Sequence, residues 1–306
     1  MQPTTVVQAA RDALGPVGVF LPSPLAEAAP VDVQREAVGR LERAGYRAAW
    51  TNEGVGGKDA FVQLAVLLAA TQRMTFGTGI ANIWARAPQT AHGAAALLAQ
   101  AHPGRFVLGL GVGYPEQAAS AGRAFGSPLA TMRDYVDRMA EPTQLPAPDV
   151  AYPRILAALG PKMLALAGEI SDGAFPAMVP PEFTARARQA LGPDKLLVVG
   201  LSVVVDTDAQ RAKETAREVL SSRIGRAAAS YAATLARLGF PDQEIAEVSD
   251  RLVDAVIGHG DPASIAAKAR EHLAAGADHV LVMLPVGGDF ATDVDELERL
   301  APALVR

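Results

Sequence analysis

The sequence contains no cysteine. That one absence removes disulfides, thiolate metal sites, iron–sulfur clusters and cysteine nucleophiles together, so any redox chemistry must belong to a bound cofactor. Aromatic residues are scarce at 5%, and 28 Lys and Arg stand against 33 Asp and Glu, interspersed, for a net charge of −5. Neither a basic nucleic-acid footprint nor a base-stacking surface is present, so nucleic acid is not an expected partner. No run approaches the roughly 18 apolar residues of a membrane span, and residues 1–16 lack a basic start followed by an apolar core. A cytoplasmic protein is expected. His92 and His102 flank one helix without a third ligand at metal spacing, and His259 and His279 stand apart, so no metal site is expected either.

What the chain does have is length, apolar content and glycine in particular places. Its 306 residues, 50% hydrophobic, suffice for one large α/β domain or two small ones. In the stretch Arg73 to Pro88, Thr75, Phe76 and Thr78 suit a strand, yet Gly77 and Gly79 interrupt it; glycine inside a strand marks a bulge or a close backbone approach. Pro88 then opens an Ala/Leu-rich helix. Phe106 to Pro115 repeats the design, an apolar strand dissolving into Gly109, Gly111 and Gly113. Two strands thus bare their backbone at the same end.

The rhythm of strand, helix and strand in about thirty residues is that of right-handed βαβ units on a parallel sheet. Strands are expected at 17–21, 46–51, 75–78, 106–111, 154–158, 172–177, 196–205 and 279–284, with helices between most of them. Asp32 is placed to cap the second helix, residues 141–148 form a proline-rich connector, and 208–260 reads as a helical insertion without a strand. Eight alternating strands predict a single (β/α)8 TIM barrel over 1–306, its insertion between strands seven and eight. An open doubly wound sheet is the structural rival, but the first βα turn lacks a Gly-x-Gly-x-x-Gly.

In such a barrel the carboxyl rim carries the site. Gly160, Pro161 and Lys162 stand at a helix start, where free N–H groups and a lysine suit a phosphate; Lys162 could equally be a solvated first-turn lysine. Phe20, Trp84, Phe175 and Met178 could wall an apolar substrate cavity or simply be core. Tyr114, Glu116 and Gln117, after the fourth strand, are placed to face a ligand.

Segments spread over nearly the whole chain, in order, resemble the bacterial luciferase-like monooxygenases, in the branch that uses the deazaflavin coenzyme F420. They are Trp50 to Gly54, Gly77 to Trp84, Gly104 to Gly113, Leu156 to Met163, Val179 to Pro181 and Gly276 to His279. The resemblance implies the same barrel, a non-prolyl cis peptide at Gly79–Ile80 backing the cofactor ring, and a cofactor site built from Thr78, Gly79, Ile80, Ala81, Asn82, Gly111, Gly113, Tyr114, Gln117 and the Gly160–Lys162 helix start. Asn52 and Glu53 fall where related deazaflavin enzymes carry a carboxylate–histidine pair. Glu53 is therefore either a proton-transfer group or a loop cap paired with an arginine, and the histidine is missing. The implied activity is hydride transfer between F420 and a small organic substrate, in a homodimer. An FMN-dependent monooxygenase and a non-catalytic flavin- or deazaflavin-binding protein are the alternatives. FMN ends in a compact phosphate dianion, which favours an arginine-lined cup; here Val112 is apolar and no arginine follows before Arg123.

Overall fold

A computed structural model describes residues 5–23, 28–226 and 228–305. Ten strands form one sheet: β1 (Val17–Phe20), β2 (Ala48–Thr51), β3 (Thr75–Thr78), β4 (Ala81–Asn82), β5 (Phe106–Gly111), β6 (Arg154–Ala157), β7 (Gly173–Phe175), β8 (Leu196–Val205), β9 (Gly258–Gly260) and β10 (His279–Met283). The order β10-β1-β2-β3-β5-β6-β7-β8, with β8 pairing β10 again, closes a parallel barrel of eight. The predicted TIM barrel is thus the fold. β4 continues β3 on β5 after a break, and β9 lies outside the circle.

The barrel interior is apolar apart from His279 and a few buried hydroxyls. Val7, Ala10 and Leu14 of the first helix (Val6–Leu14) plug its amino end beneath Ala48, Val107, Ile155, Leu196, Val198 and Leu281. Above them lies Trp50, fully buried and stacked on Phe175 at 5.8 Å. So large a side chain fits inside an eight-stranded barrel only because a neighbour has none: a Cβ on Gly77 would lie 2.3 Å from the indole. Burying side chains of this size contributes roughly 1.5–3 kcal/mol each. The indole N–H donates to His279 Nε2 at 3.2 Å, leaving Nδ1–H to donate to the Gly15 carbonyl at 2.7 Å. The second core layer lies between strands and helices, as with the tilted pair Phe61–Phe106.

Three local expectations need correction. The helix Val31–Ala44 starts from Pro30, with Asp32 in its first turn rather than capping it. The helix after β5, which the sequence pattern places around residues 117–125, is Pro115–Ser120. Between β8 and β10 lie the helices Ala209–Arg226, Ala228–Arg237, Asp242–Glu247 and Asp250–Val256, but also β9, which pairs with the overlong end of β8 through Val203, Val204 and Val205. Gly-His-Gly carries no strand propensity; the extended end of β8 supplies the pairing partner that makes it one.

Candidate active site

The carboxyl ends of β1, β2, β3 and β7 converge on the backbone break between β3 and β4. There the Gly79–Ile80 peptide bond is cis. The Gly79 N–H donates to the Thr51 carbonyl at 2.7 Å, and the Ile80 carbonyl accepts from the Glu53 N–H at 3.1 Å. Phe20 and Phe175 close in from the barrel axis: a Cβ on Gly79 would lie 3.0 Å from the Phe175 ring and 3.1 Å from Phe20. With Ile80 and Met283, both half-buried on the inner cluster, they make an apolar floor to the mouth.

Glu53 does not present its carboxylate to that mouth. Its side chain is 1% exposed, and both oxygens are claimed. Oε1 accepts from the Ala60 N–H at 3.1 Å and from Arg86 Nη2, while Oε2 accepts from the Asn82 N–H at 3.0 Å and Arg86 Nη1 at 2.9 Å. Arg86 also reaches Asp59 at 2.9 Å and lies over the Phe61 ring. Burial works against the arginine's charge, but its two carboxylate partners outweigh this and hold its pKa above the ordinary value. A carboxylate with four donors has no lone pair left for a substrate proton, so the proton-transfer role expected for Glu53 is corrected to that of a clamp across the cis-peptide loop. Asn52 is exposed at the rim, its Oδ1 3.4 Å from the Ser23 hydroxyl.

Asn82 is the reverse case. Its Oδ1 accepts from the Trp84 N–H at 3.0 Å, which fixes the amide's orientation, and its Nδ2 is buried without any partner. A Cβ on Gly113 would lie 2.0 Å from the Gln117 side-chain oxygen and 2.9 Å from that nitrogen, and Gly113 has φ +59°, so only glycine fits between Gln117 and the unspent donor. Gln117 serves the local backbone, accepting from the Tyr114 N–H at 3.0 Å, while Tyr114 and Glu116 are exposed. Thr78 and Ala81 are buried; the Thr78 hydroxyl exchanges hydrogen bonds with Gly109 and ties β3 to β5. A Cβ on Gly111 would strike the Ile80 side chain at 2.4 Å.

Two expected pocket walls lie elsewhere. Trp84 is buried in the core, packed on Phe125 and donating its indole N–H to the Val112 carbonyl at 2.7 Å. Met178, at φ +54°, is buried under the helical insertion, whose Tyr231 hydroxyl donates to the Ala177 and Met178 carbonyls. Phe20 and Phe175 do reach the mouth. Gly160 precedes the helix Pro161–Ile170 with no side-chain cap, a Cβ on it would meet nothing within 4 Å, and Lys162 is exposed. That helix start is open to an anion.

Sequence reading missed Arg86, Met283 and Lys58. A buried Glu53 demanded a cation, and Arg86 stood in the stretch already singled out; Met283 ends a barrel strand, as Phe20 and Phe175 do. The Lys58 ammonium donates to the Thr51 hydroxyl at 2.9 Å, and burial lowers its pKa; nothing in the sequence marked it. Among the described residues no group of acidic and histidine side chains could hold a metal ion, and no helix is long and apolar enough to cross a membrane.

The family model for luciferase-like monooxygenases matches residues 16–279. A protein of Mycobacterium tuberculosis named as a coenzyme F420-dependent oxidoreductase is 31% identical over 186 residues, covering 50% of this chain and 53% of that one. The chain therefore spans about half the length of that relative. An F420-dependent secondary alcohol dehydrogenase, solved with an F420–acetone adduct, superposes with a TM-score of 0.69 at 18% identity, covering 95% of this chain and 99% of the other. The oxygenating part of a 3,6-diketocamphane monooxygenase of Pseudomonas putida, solved with FMN, superposes at 0.70 with 16% identity, covering 94% and 98%. Identities this low speak to the fold alone.

Proposed function

This chain belongs to the luciferase-like monooxygenase family, and from that premise we propose that it is an oxidoreductase binding coenzyme F420 and passing a hydride between the deazaflavin and a small organic substrate. The observation that carries the proposal is the buried Nδ2 of Asn82, which has no partner among the described residues and lies at the rim beside Gly113. A buried donor left unpaired costs about 1–3 kcal/mol, and a planar heterocycle with acceptors along one edge relieves that cost. The name of the Mycobacterium tuberculosis relative supports the choice of cofactor.

When bound, the deazaflavin supplies the two-electron chemistry; the chain supplies position and exclusion. Asn82 donates to the ring edge. The Glu53–Arg86 pair holds the loop carrying Asn82, because Glu53 Oε2 takes the Asn82 backbone N–H. Phe20, Ile80 and Phe175 keep water from beneath the mouth. The N–H groups of Lys162 and Met163 remain for the phosphodiester, since Pro161 has none and the Leu164 N–H is spent on the Gly160 carbonyl.

Paired fluorescence titrations with F420 and FMN test this. F420 is expected to bind at low micromolar concentration or tighter, and FMN at least about tenfold more weakly, a gap of roughly 1.4 kcal/mol. Equal or tighter FMN binding would overturn the assignment in favour of the FMN-dependent monooxygenase. A homodimer completes the proposal, and light scattering at micromolar concentration decides it.

A further inference from the structure

At the opposite end of the barrel from the mouth, a groove of about 770 Å3 opens between the first helix and the amino ends of β2, β3 and β5. Conserving stability is the usual business of this face of a TIM barrel, and most of what lines it is consistent with that. Three guanidinium groups line it as well. Arg47 donates to the Asp12 carbonyl, Arg105 donates to the Met74 and Leu68 carbonyls and the Thr71 hydroxyl, and neither forms an ion pair among the described residues. Burial lowers the pKa of Arg105, with the charge of Glu42 opposing, so its desolvation is only partly offset. The Arg73 guanidinium is exposed and makes no hydrogen bond or ion pair among the described residues, though, against burial, its charge helps hold the Glu42 carboxyl below its ordinary value. The acidic side chains of the groove are Asp12 and Glu42. Glu42 is occupied, one oxygen accepting the backbone N–H groups of Gln72, Arg73 and Met74 at 3.2, 2.7 and 2.8 Å.

A second observation points the same way. Thr75, at the first position of β3, lines the groove at 1% exposure, and its hydroxyl has no hydrogen-bond partner among the described residues. A buried hydroxyl is normally paired, and this one lines the same groove as the three guanidinium groups.

We propose that this groove binds a small phosphate-bearing anion, held by Arg47, Arg73 and Arg105 with the Thr75 hydroxyl donating to one of its oxygens. Guanidinium groups suit phosphate because their donors match its oxygens in pairs. The site is independent of the Gly160–Lys162 helix start and of the function proposed above.

Isothermal titration of the full-length chain with inorganic pyrophosphate in chloride buffer tests it. Saturable binding with a Kd below about 1 mM is expected. Arg73→Glu should weaken it at least about tenfold, whereas Arg270→Glu, the same charge change at an exposed arginine that does not line the groove, should alter it less than about twofold. Thr75→Val should leave the unliganded melting temperature unchanged or raised, since it removes an unpaired polar atom, while weakening pyrophosphate by roughly three- to tenfold. Absence of saturable binding overturns the proposal, as does an equal loss in Arg73→Glu and Arg270→Glu, which would mean only a general response to charge. A Thr75→Val chain that melts lower and binds pyrophosphate unchanged would remove the hydroxyl from the site.

Discussion

Arg86 closes both oxygens of the buried Glu53 carboxylate, Nη1 lying 2.9 Å from Oε2 while Nη2 reaches Oε1. Removing one member of such a pair strands the other in a poor solvent for charge, which costs about 3–5 kcal/mol. Glu53→Gln is therefore expected to lower the urea midpoint strongly. A double-mutant cycle with Arg86→Met should return a coupling energy above about 1 kcal/mol, and additive losses would refute the clamp.

The second expectation concerns Asn82. Asn82→Asp keeps an oxygen for the Trp84 N–H but replaces the unspent donor with an acceptor. F420 affinity should fall by roughly 10- to 100-fold, the worth of a buried hydrogen bond turned repulsive. Fluorescence titration reads this directly, and an affinity within twofold of the parent would sever Asn82 from the cofactor.

Glycine tolerance should divide the rim from the barrel interior. Gly77→Ala places a methyl 2.3 Å from the Trp50 ring and is expected to cost about 1–3 kcal/mol or more by overpacking. Gly160→Ala meets nothing within 4 Å at an ordinary φ of −106°, so it should stay within about 1 kcal/mol of the parent. Thermal melts that rank the two the other way would contradict the packing described.

Stability should fall in mild acid for an identifiable reason. Burial pulls His272 and His279 from 6.5 down to about 4. The unfolded chain protonates these histidines near pH 6.5 while the folded chain does not until about pH 4, so their contribution is present above pH 6.5 and lost as pH falls from there towards 4. For each the loss is at most roughly 3 kcal/mol. Asp293 works in the opposite sense: burial first, then Asp289 and Glu296, raise it to about 6, so its contribution is lost as pH rises through 6. Denaturant midpoints at pH 7, 6 and 5 should decline, and decline less in His279→Gln; parallel slopes would acquit His279.

The sequence alone determined the barrel, because strand–helix alternation is written locally, residue by residue, in apolar periodicity and turn glycines. It also located the rim, since Gly77 to Asn82 and Gly109 to Gly113 announce bared backbone within single short stretches. It could not determine which rim side chains face the mouth. Glu53 became a clamp because closure of β2 on β3 brings Arg86, 33 residues away, onto its oxygens; Trp84 is buried with its indole N–H spent on the Val112 carbonyl, 28 residues away; β9 exists only because β8 overruns the barrel. Each of these rests on a pairing between segments distant in the chain, and a hydrogen-bond partner that arrives through tertiary folding leaves no mark on the residue that waits for it.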